Sequence, residues 1–194
     1  MSTLLEQLGA TTALQWIAMA AGILGVWLSI KEKVAAWPLF ILCYGCYLYL
    51  YFGNLNAFAG MNGVFILISI YGWIRWAKVP GATTQAIPIT RTPRAHWPII
   101  GAVIVVATGG IGWLLSQSGE ANVPYIDAFA TLCAFVAQWM LSRKQIETWI
   151  FWLISDMIYL VLVFQQQDWP TVLLFTIFIY LAWKGLRDWA RQLD

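Results

Sequence analysis

The sequence predicts an all-α integral membrane protein, with seven transmembrane helices arranged as 3+1+3 parallel repeats. Three observations predict this. Of its residues, 61% are hydrophobic and 10% charged, where a soluble domain has roughly a quarter charged. Seven apolar segments, at 11–30, 34–52, 56–77, 97–116, 124–142, 146–165 and 168–187, match or approach the about 20 residues a spanning helix needs. All 11 Lys and Arg residues fall on one side once these segments are threaded through a bilayer.

The first segment follows Glu6 and no basic residue, so a retained helix is expected rather than a cleaved signal peptide. Lys31 and Lys33 come after it. The second segment contains Cys43 and Cys46, a CxxC that in a soluble protein would suggest redox or zinc chemistry. In mid-helix, with no second pair, they read as small packing residues. The turn at 53–55 has no basic residue, and Arg75 and Lys78 close the third segment. Residues 78–96, rich in Pro and Thr, carry Arg91, Arg94 and the single histidine, His96. This stretch reads as a cytoplasmic loop, and His96 as an interfacial residue. The fourth segment is a linker helix entered through Pro98. Pro124 and Pro170 open the fifth and seventh in the same way, at positions where a missing N–H does little harm. Asp127, near the outer end of the fifth, reads as a start-of-helix acid. Arg143 and Lys144 close that segment, and Lys184, Arg187 and Arg191 end the last. The turns at 117–123 and 165–167 carry no base. Because Lys and Arg collect on the cytoplasmic side, the N-terminus is expected outside and the C-terminus inside. Many of the 13 Trp residues lie near segment ends, where aromatic belts form.

Residues 25–78 laid over 137–191 reveal an internal repeat at a spacing of about 112 residues. Trp27 matches Trp139, Lys31 matches Arg143, Trp37 matches Trp149, Tyr47 matches Tyr159 and Phe52 matches Phe164. After a slip of one, Gly72 and Trp76 match Gly185 and Trp189, in the tails YGWIRWAK and KGLRDWAR. The expected organisation is a first three-helix repeat over 1–78, a cytoplasmic loop over 79–96, a linker helix and loop over 97–123, and a second repeat over 124–194. Parallel repeats about an axis along the membrane normal are a transporter architecture, with substrate held near the midplane between them.

Function is then sought among polar groups inside the helices. Asp156 lies about ten residues into the sixth segment, about 15 Å along it. An ionisable group at that depth costs at least about 2.5 kcal/mol and should face a cavity or a partner. No Lys or Arg lies at comparable depth. Trp149 and Trp152 precede Asp156 at i−7 and i−4, on one helix face, and indole faces attract cations. The same offsets in the first repeat give Trp37, Phe40 and Tyr44, so the aromatic face is duplicated and the carboxylate is not. Asn62 and Gln138 also lie deep; each is a candidate for bonding substrate or for joining helices. Lys184 raises a seven-helix photoreceptor as a rival reading, although its place beside Arg187 suits snorkelling to the surface. The sequence offers neither a nucleophile–base pair nor a metal-ligand cluster, so no enzyme, cofactor or metal is expected. The net charge of +2, spread along one face, suggests no nucleic-acid partner.

RKQIETWIFWLISD at 143–156 and ISIYGWIRW at 68–76 resemble segments of the Pnu family of bacterial vitamin transporters, whose best-known members carry nicotinamide riboside. The first segment resembles the family's WxxWxxxN signature, with Asp156 in place of the Asn. The resemblance covers most of the chain. It implies a 3+1+3 fold similar to the SWEET sugar transporters, with Trp149 and Trp152 stacking on the substrate. Asn62 falls where members often have a substrate-binding Gln. A neutral Asn suits a carboxamide, whereas a carboxylate suits the aminopyrimidine and fixed charge of thiamine. Thiamine is therefore the substrate expected, with nicotinamide riboside or riboflavin as alternatives. The resemblance also implies facilitated diffusion across the bacterial inner membrane, with trapping by a cytoplasmic vitamin kinase, and leaves a homo-oligomer open.

Overall fold

The computed structural model describes residues 12–53, 56–78, 87–119 and 121–193, together with Glu6 and Leu8. Residue 11 of the first expected span, 54–55 of the first outer turn, and 79–86 of the expected cytoplasmic loop lie outside the described residues, as do the remaining N-terminal positions, Glu120 and Asp194. Among the described residues there are seven α-helices: α1 (Ala13–Ile30), α2 (Ala36–Tyr51), α3 (Asn56–Ala77), α4 (Trp97–Ser118), α5 (Pro124–Ser142), α6 (Thr148–Gln165) and α7 (Trp169–Ala190). Six are long and apolar enough to cross a membrane. The seventh, α2, has 16 residues, shorter than the 34–52 span expected, because the turn before it takes up residues 31–35.

The helix ends follow from local chemistry. Thr12 caps α1 in a capping box: its Oγ1 accepts from the Gln15 N–H, and Gln15 Oε1 accepts from the Thr12 N–H at 2.8 Å, satisfying donors that the first turn leaves unpaired. The α1–α2 and α5–α6 turns are built alike. Glu32 and Lys144 each adopt the left-handed conformation, at φ 56° and 53°. The Lys33 N–H donates to Leu28 O, and the Gln145 N–H to Met140 O. These are Schellman closures of the preceding helix, a position usually held by Gly. A non-glycine residue there costs about 1–3 kcal/mol; Gln167, at φ 59°, takes the same station after α6, with the Asp168 N–H donating to Val163 O. Glu32 and Lys144 in addition form an ion pair: Lys144 Nζ reaches Glu32 Oε2 at 2.8 Å across 112 residues of chain.

Consecutive helices pack as antiparallel neighbours, except that α4 lies against α5 rather than α3. Contacts of α3 with α5 and of α1 with α7 close a six-helix ring. α5 is the most buried span, and its Ala128, Ala130, Ala134 and Ala137 let neighbours approach closely. In lipid, where apolar surface gains little by leaving the solvent, such packing and interhelical bonds hold helices together. Thr148 Oγ1 donates to Ala137 O at 2.7 Å and Ser155 Oγ to Ala130 O at 2.9 Å, tying α6 to α5.

One end of the ring is sealed by tryptophans. Trp37 stands edge-on to Trp76 at 5.2 Å and 87°, and Trp149 stands edge-on to Trp189 at 5.2 Å and 83°. The Trp76 N–H donates to Ser142 O at 3.1 Å, and the Trp189 N–H to Ile30 O at 3.0 Å. A strap from the loop before α4 lies along this end. The Thr90 N–H donates to Lys144 O and the Ile146 N–H to Thr90 O, while the Thr92 N–H and hydroxyl both donate to Glu147 Oε2, at 2.8 and 2.7 Å.

Each of these tryptophan pairs depends on a glycine. The Trp37 indole fills the space that a Cβ on Gly72 would need, and the Trp149 indole lies 2.6 Å from where a Cβ on Gly185 would sit. Alanine is the better helix former, but here overpacking should prevail. Gly72→Ala and Gly185→Ala should each destabilise the protein by about 1–3 kcal/mol, seen as a lowered melting temperature in detergent.

Candidate functional site

The ring encloses a cavity of about 610 Å³. Its inner end is bordered by Val26, Phe40, Trp149 and Ala182, and its other end by Tyr51, Ala121, Gln166 and Asp168, in or beside the turns. Most of the lining is aromatic or aliphatic, as expected of a small-molecule chamber.

One wall is a row of four rings contributed by three helices. Trp152 of α6 stacks toward Phe65 of α3 (centroids 6.3 Å, 19°), Phe65 on Tyr44 of α2 (4.6 Å, 14°), and Tyr44 toward Phe40 (6.2 Å, 21°). Rings stacked in this way leave edges along the row and faces at its ends for a flat ligand or a cation. The charged side chains among the described lining residues are all acidic. Asp156, only 4% exposed, faces it from α6. Asp127 contacts the hydroxyl of Tyr159, which lies 2.7 Å from Thr131 Oγ1. Asp168 caps α7, accepting from the Thr171 N–H. Among the described lining residues there is no Lys, Arg or His. Asp156 therefore has no cation among the described lining residues to balance it, and a ligand bringing positive charge or several hydrogen-bond donors would do so.

Of the eight residues singled out from the sequence, Phe40, Tyr44, Asn62, Trp149, Trp152 and Asp156 line this one chamber, drawn from α2, α3 and α6. Trp37 and Gln138 do not. Trp37 is fully buried between Phe40, Trp76 and the backbone at Gly72, because the glycine draws its ring into the helix interface. Gln138, also fully buried, donates from Nε2 to Ser69 Oγ at 3.0 Å, and Ser69 bonds onward to Phe65 O. It joins α5 to α3. Asn62 gives one amide N–H to Phe58 O at 2.8 Å while bordering the chamber. Lys184 is partly exposed and paired with Asp188 one turn on; it does not line the cavity.

Sequence reasoning missed Phe65, Phe135, Phe178, Thr131 and the tyrosines Tyr47 and Tyr159, all of which line the chamber. A signal existed for the last two, since they align in the internal repeat. For Phe65, the centre of the aromatic row, there was none, because a phenylalanine facing lipid looks the same in sequence.

The fold and chamber together define a polytopic membrane protein built around an aromatic small-molecule cavity. Residues 12–191 match the family described as nicotinamide mononucleotide transporter. The chain is 27% identical to the riboflavin/roseoflavin transporter RibM of Streptomyces davaonensis, over 90% of this chain and 84% of that protein. It is 22% identical to the nicotinamide riboside transporter PnuC of Escherichia coli, over 91% and 85% respectively. The crystal structure of the vitamin B3 transporter PnuC superposes with a TM-score of 0.74 at 21% identity, covering 93% of this chain and 81% of that one. The protein therefore belongs to the nicotinamide mononucleotide transporter family, the Pnu family of membrane transporters.

The geometry separates binding roles from structural ones. Gln138→Ala should lower thermal stability by removing the α5–α3 bond while leaving ligand affinity unchanged. Tyr44→Ala should weaken binding by breaking the aromatic row. Ligand titration beside thermal melting of each variant checks both.

Proposed function

We propose that this protein carries a flat, positively charged aromatic vitamin across the bacterial cytoplasmic membrane, nicotinamide riboside in first place. The observation that carries this reading is Asp156, facing an aromatic chamber that has no described Lys, Arg or His in its lining. A pyridinium ring stacked along the row from Trp152 to Phe40 would place its fixed charge near that carboxylate, where exclusion of water strengthens the attraction. Trp149 and Asn62 border the same space and are the further contacts proposed. The expectation of thiamine drawn from Asp156 gives way, because the names of the matched relatives point to riboflavin and nicotinamide riboside. Between those two, riboflavin is uncharged and leaves Asp156 unbalanced. Thiamine shares the required charge and is the competitor that binding experiments must separate.

The proposed architecture is two parallel three-helix repeats, residues 1–78 and 124–194, joined by the loop 79–96 and the linker helix and loop 97–123. Its support is the like construction of the α1–α2 and α5–α6 turns and the reciprocal bonds of Trp76 and Trp189. The charge asymmetry supports an outside N-terminus and an inside C-terminus, which puts the tryptophan-sealed end at the cytoplasm. Transport is proposed as facilitated diffusion, with phosphorylation by a cytoplasmic kinase trapping the vitamin.

Three measurements test the reading. Purified protein in liposomes should equilibrate nicotinamide riboside across the bilayer without ATP; failure with every vitamin of this class would reject the function. Asp156→Asn should weaken binding of the cation at least about tenfold, roughly 1.4 kcal/mol, and Trp152→Ala at least as much, measured by calorimetric titration against nicotinamide riboside, thiamine and riboflavin. Reporters inserted at 117–123 and 165–167 should be extracytoplasmic, and one at the C-terminus cytoplasmic.

A further inference from the structure

The ion pair between Glu32 and Lys144 occupies an unusual place. Both residues sit at the left-handed position of a helix-ending turn, where glycine would serve without strain. Lys144 is 4% exposed, and its ammonium also lies 4.8 Å from the Trp76 ring centroid. Its backbone carbonyl accepts from the Thr90 N–H of the strap. One residue thus joins the α1–α2 turn and the end of α3, through its side chain, and the strap, through its carbonyl, to the α5–α6 turn. The Trp76 and Trp189 bonds to Ser142 and Ile30 cross the same boundary. The chamber ends just short of this layer: Val26 and Trp149 line it, whereas Ile30, Glu32, Lys144 and Trp189 do not.

We infer that the Glu32–Lys144 pair is the latch of a cytoplasmic gate, closed in this structure, which must part for substrate to leave the chamber inward. The two matching turns bring opposite charges together over the chamber floor, and residues in this backbone conformation concentrate at switch regions. A pair in this setting is also easily toggled. Lys144 is buried while Glu32 already reaches the surface, so the ammonium is the charge left unsolvated when the pair breaks, and parting of the two turns admits the water that solvates it. The inference rests on the orientation proposed above but on no particular substrate.

The test uses the chamber's own thiol, Cys43, which lines the cavity. Full-length protein in inside-out vesicles is labelled with a membrane-impermeant maleimide, and Cys43→Ser identifies the labelled site. Wild type should react slowly from the cytoplasmic face. Glu32→Lys and Lys144→Glu, which set like charges against each other, should each react at least about tenfold faster. The double reversal, Glu32→Lys with Lys144→Glu, should return to the slow rate. Glu32→Gln provides a milder opening should a reversed single variant fail to fold, with folding followed by gel filtration and melting. Folded single variants that label at the wild-type rate would overturn the latch, as would a double reversal that labels as fast as the singles. Faster labelling from the opposite face alone would reject the orientation and leave the latch standing. Because the readout needs no ligand, failure of the nicotinamide riboside assignment would leave it unchanged.

Discussion

Two indole rings wedged against two glycines set the shape of everything above them. Trp37 against Gly72 and Trp149 against Gly185 bring α2 to α3 and α6 to α7 closer than any side chain would permit. That closeness places Trp76 and Trp189 where their N–H groups reach backbone carbonyls across the ring of helices. The chamber lies beyond this drawn-together end, between the same helices. In a bilayer, where burial of apolar surface gives little preference between arrangements, contacts of this specificity select one packing from many.

Much of this was legible in the sequence because membrane helices announce themselves by length and loop charge. The seven segments fall within a few residues of the helices found, and Gly72, Trp76, Gly185 and Trp189 stood out through their shared spacing. What sequence could not supply was helix rotation. A span surrounded by lipid and by apolar neighbours is hydrophobic on every side, so the periodicity that marks the inner face of a soluble helix is absent. Asn62 and Gln138 were therefore indistinguishable: the first borders the chamber, and the second is tied up with Ser69. Trp37 and Trp149 occupy matching positions, yet only Trp149 reaches the cavity. Glu32 passed unnoticed because a surface-loop acid next to lysines carries no signal until the turn's backbone is known.

In the proposed site, Asp156 divides labour with its surroundings. The aromatic row is assigned broad, tolerant affinity for flat molecules. The carboxylate is assigned discrimination, since it gains from a positive charge and loses on removal from water when none arrives. Relatives that carry different vitamins in their names are consistent with a fold in which the rings define the class of ligand and one or two polar residues choose within it.

The opposite signs of Glu32 and Lys144 have a consequence for the stoichiometry of the molecule. The two residues hold the same station in two turns of the same construction, and they face one another. If either three-helix unit were to associate with a second copy of itself, that station would confront two carboxylates or two ammonium groups. In the proposed two-repeat architecture, this station therefore disfavours pairing of either repeat with its own duplicate and favours pairing with the other, as in a heterodimer made permanent by the chain between its parts.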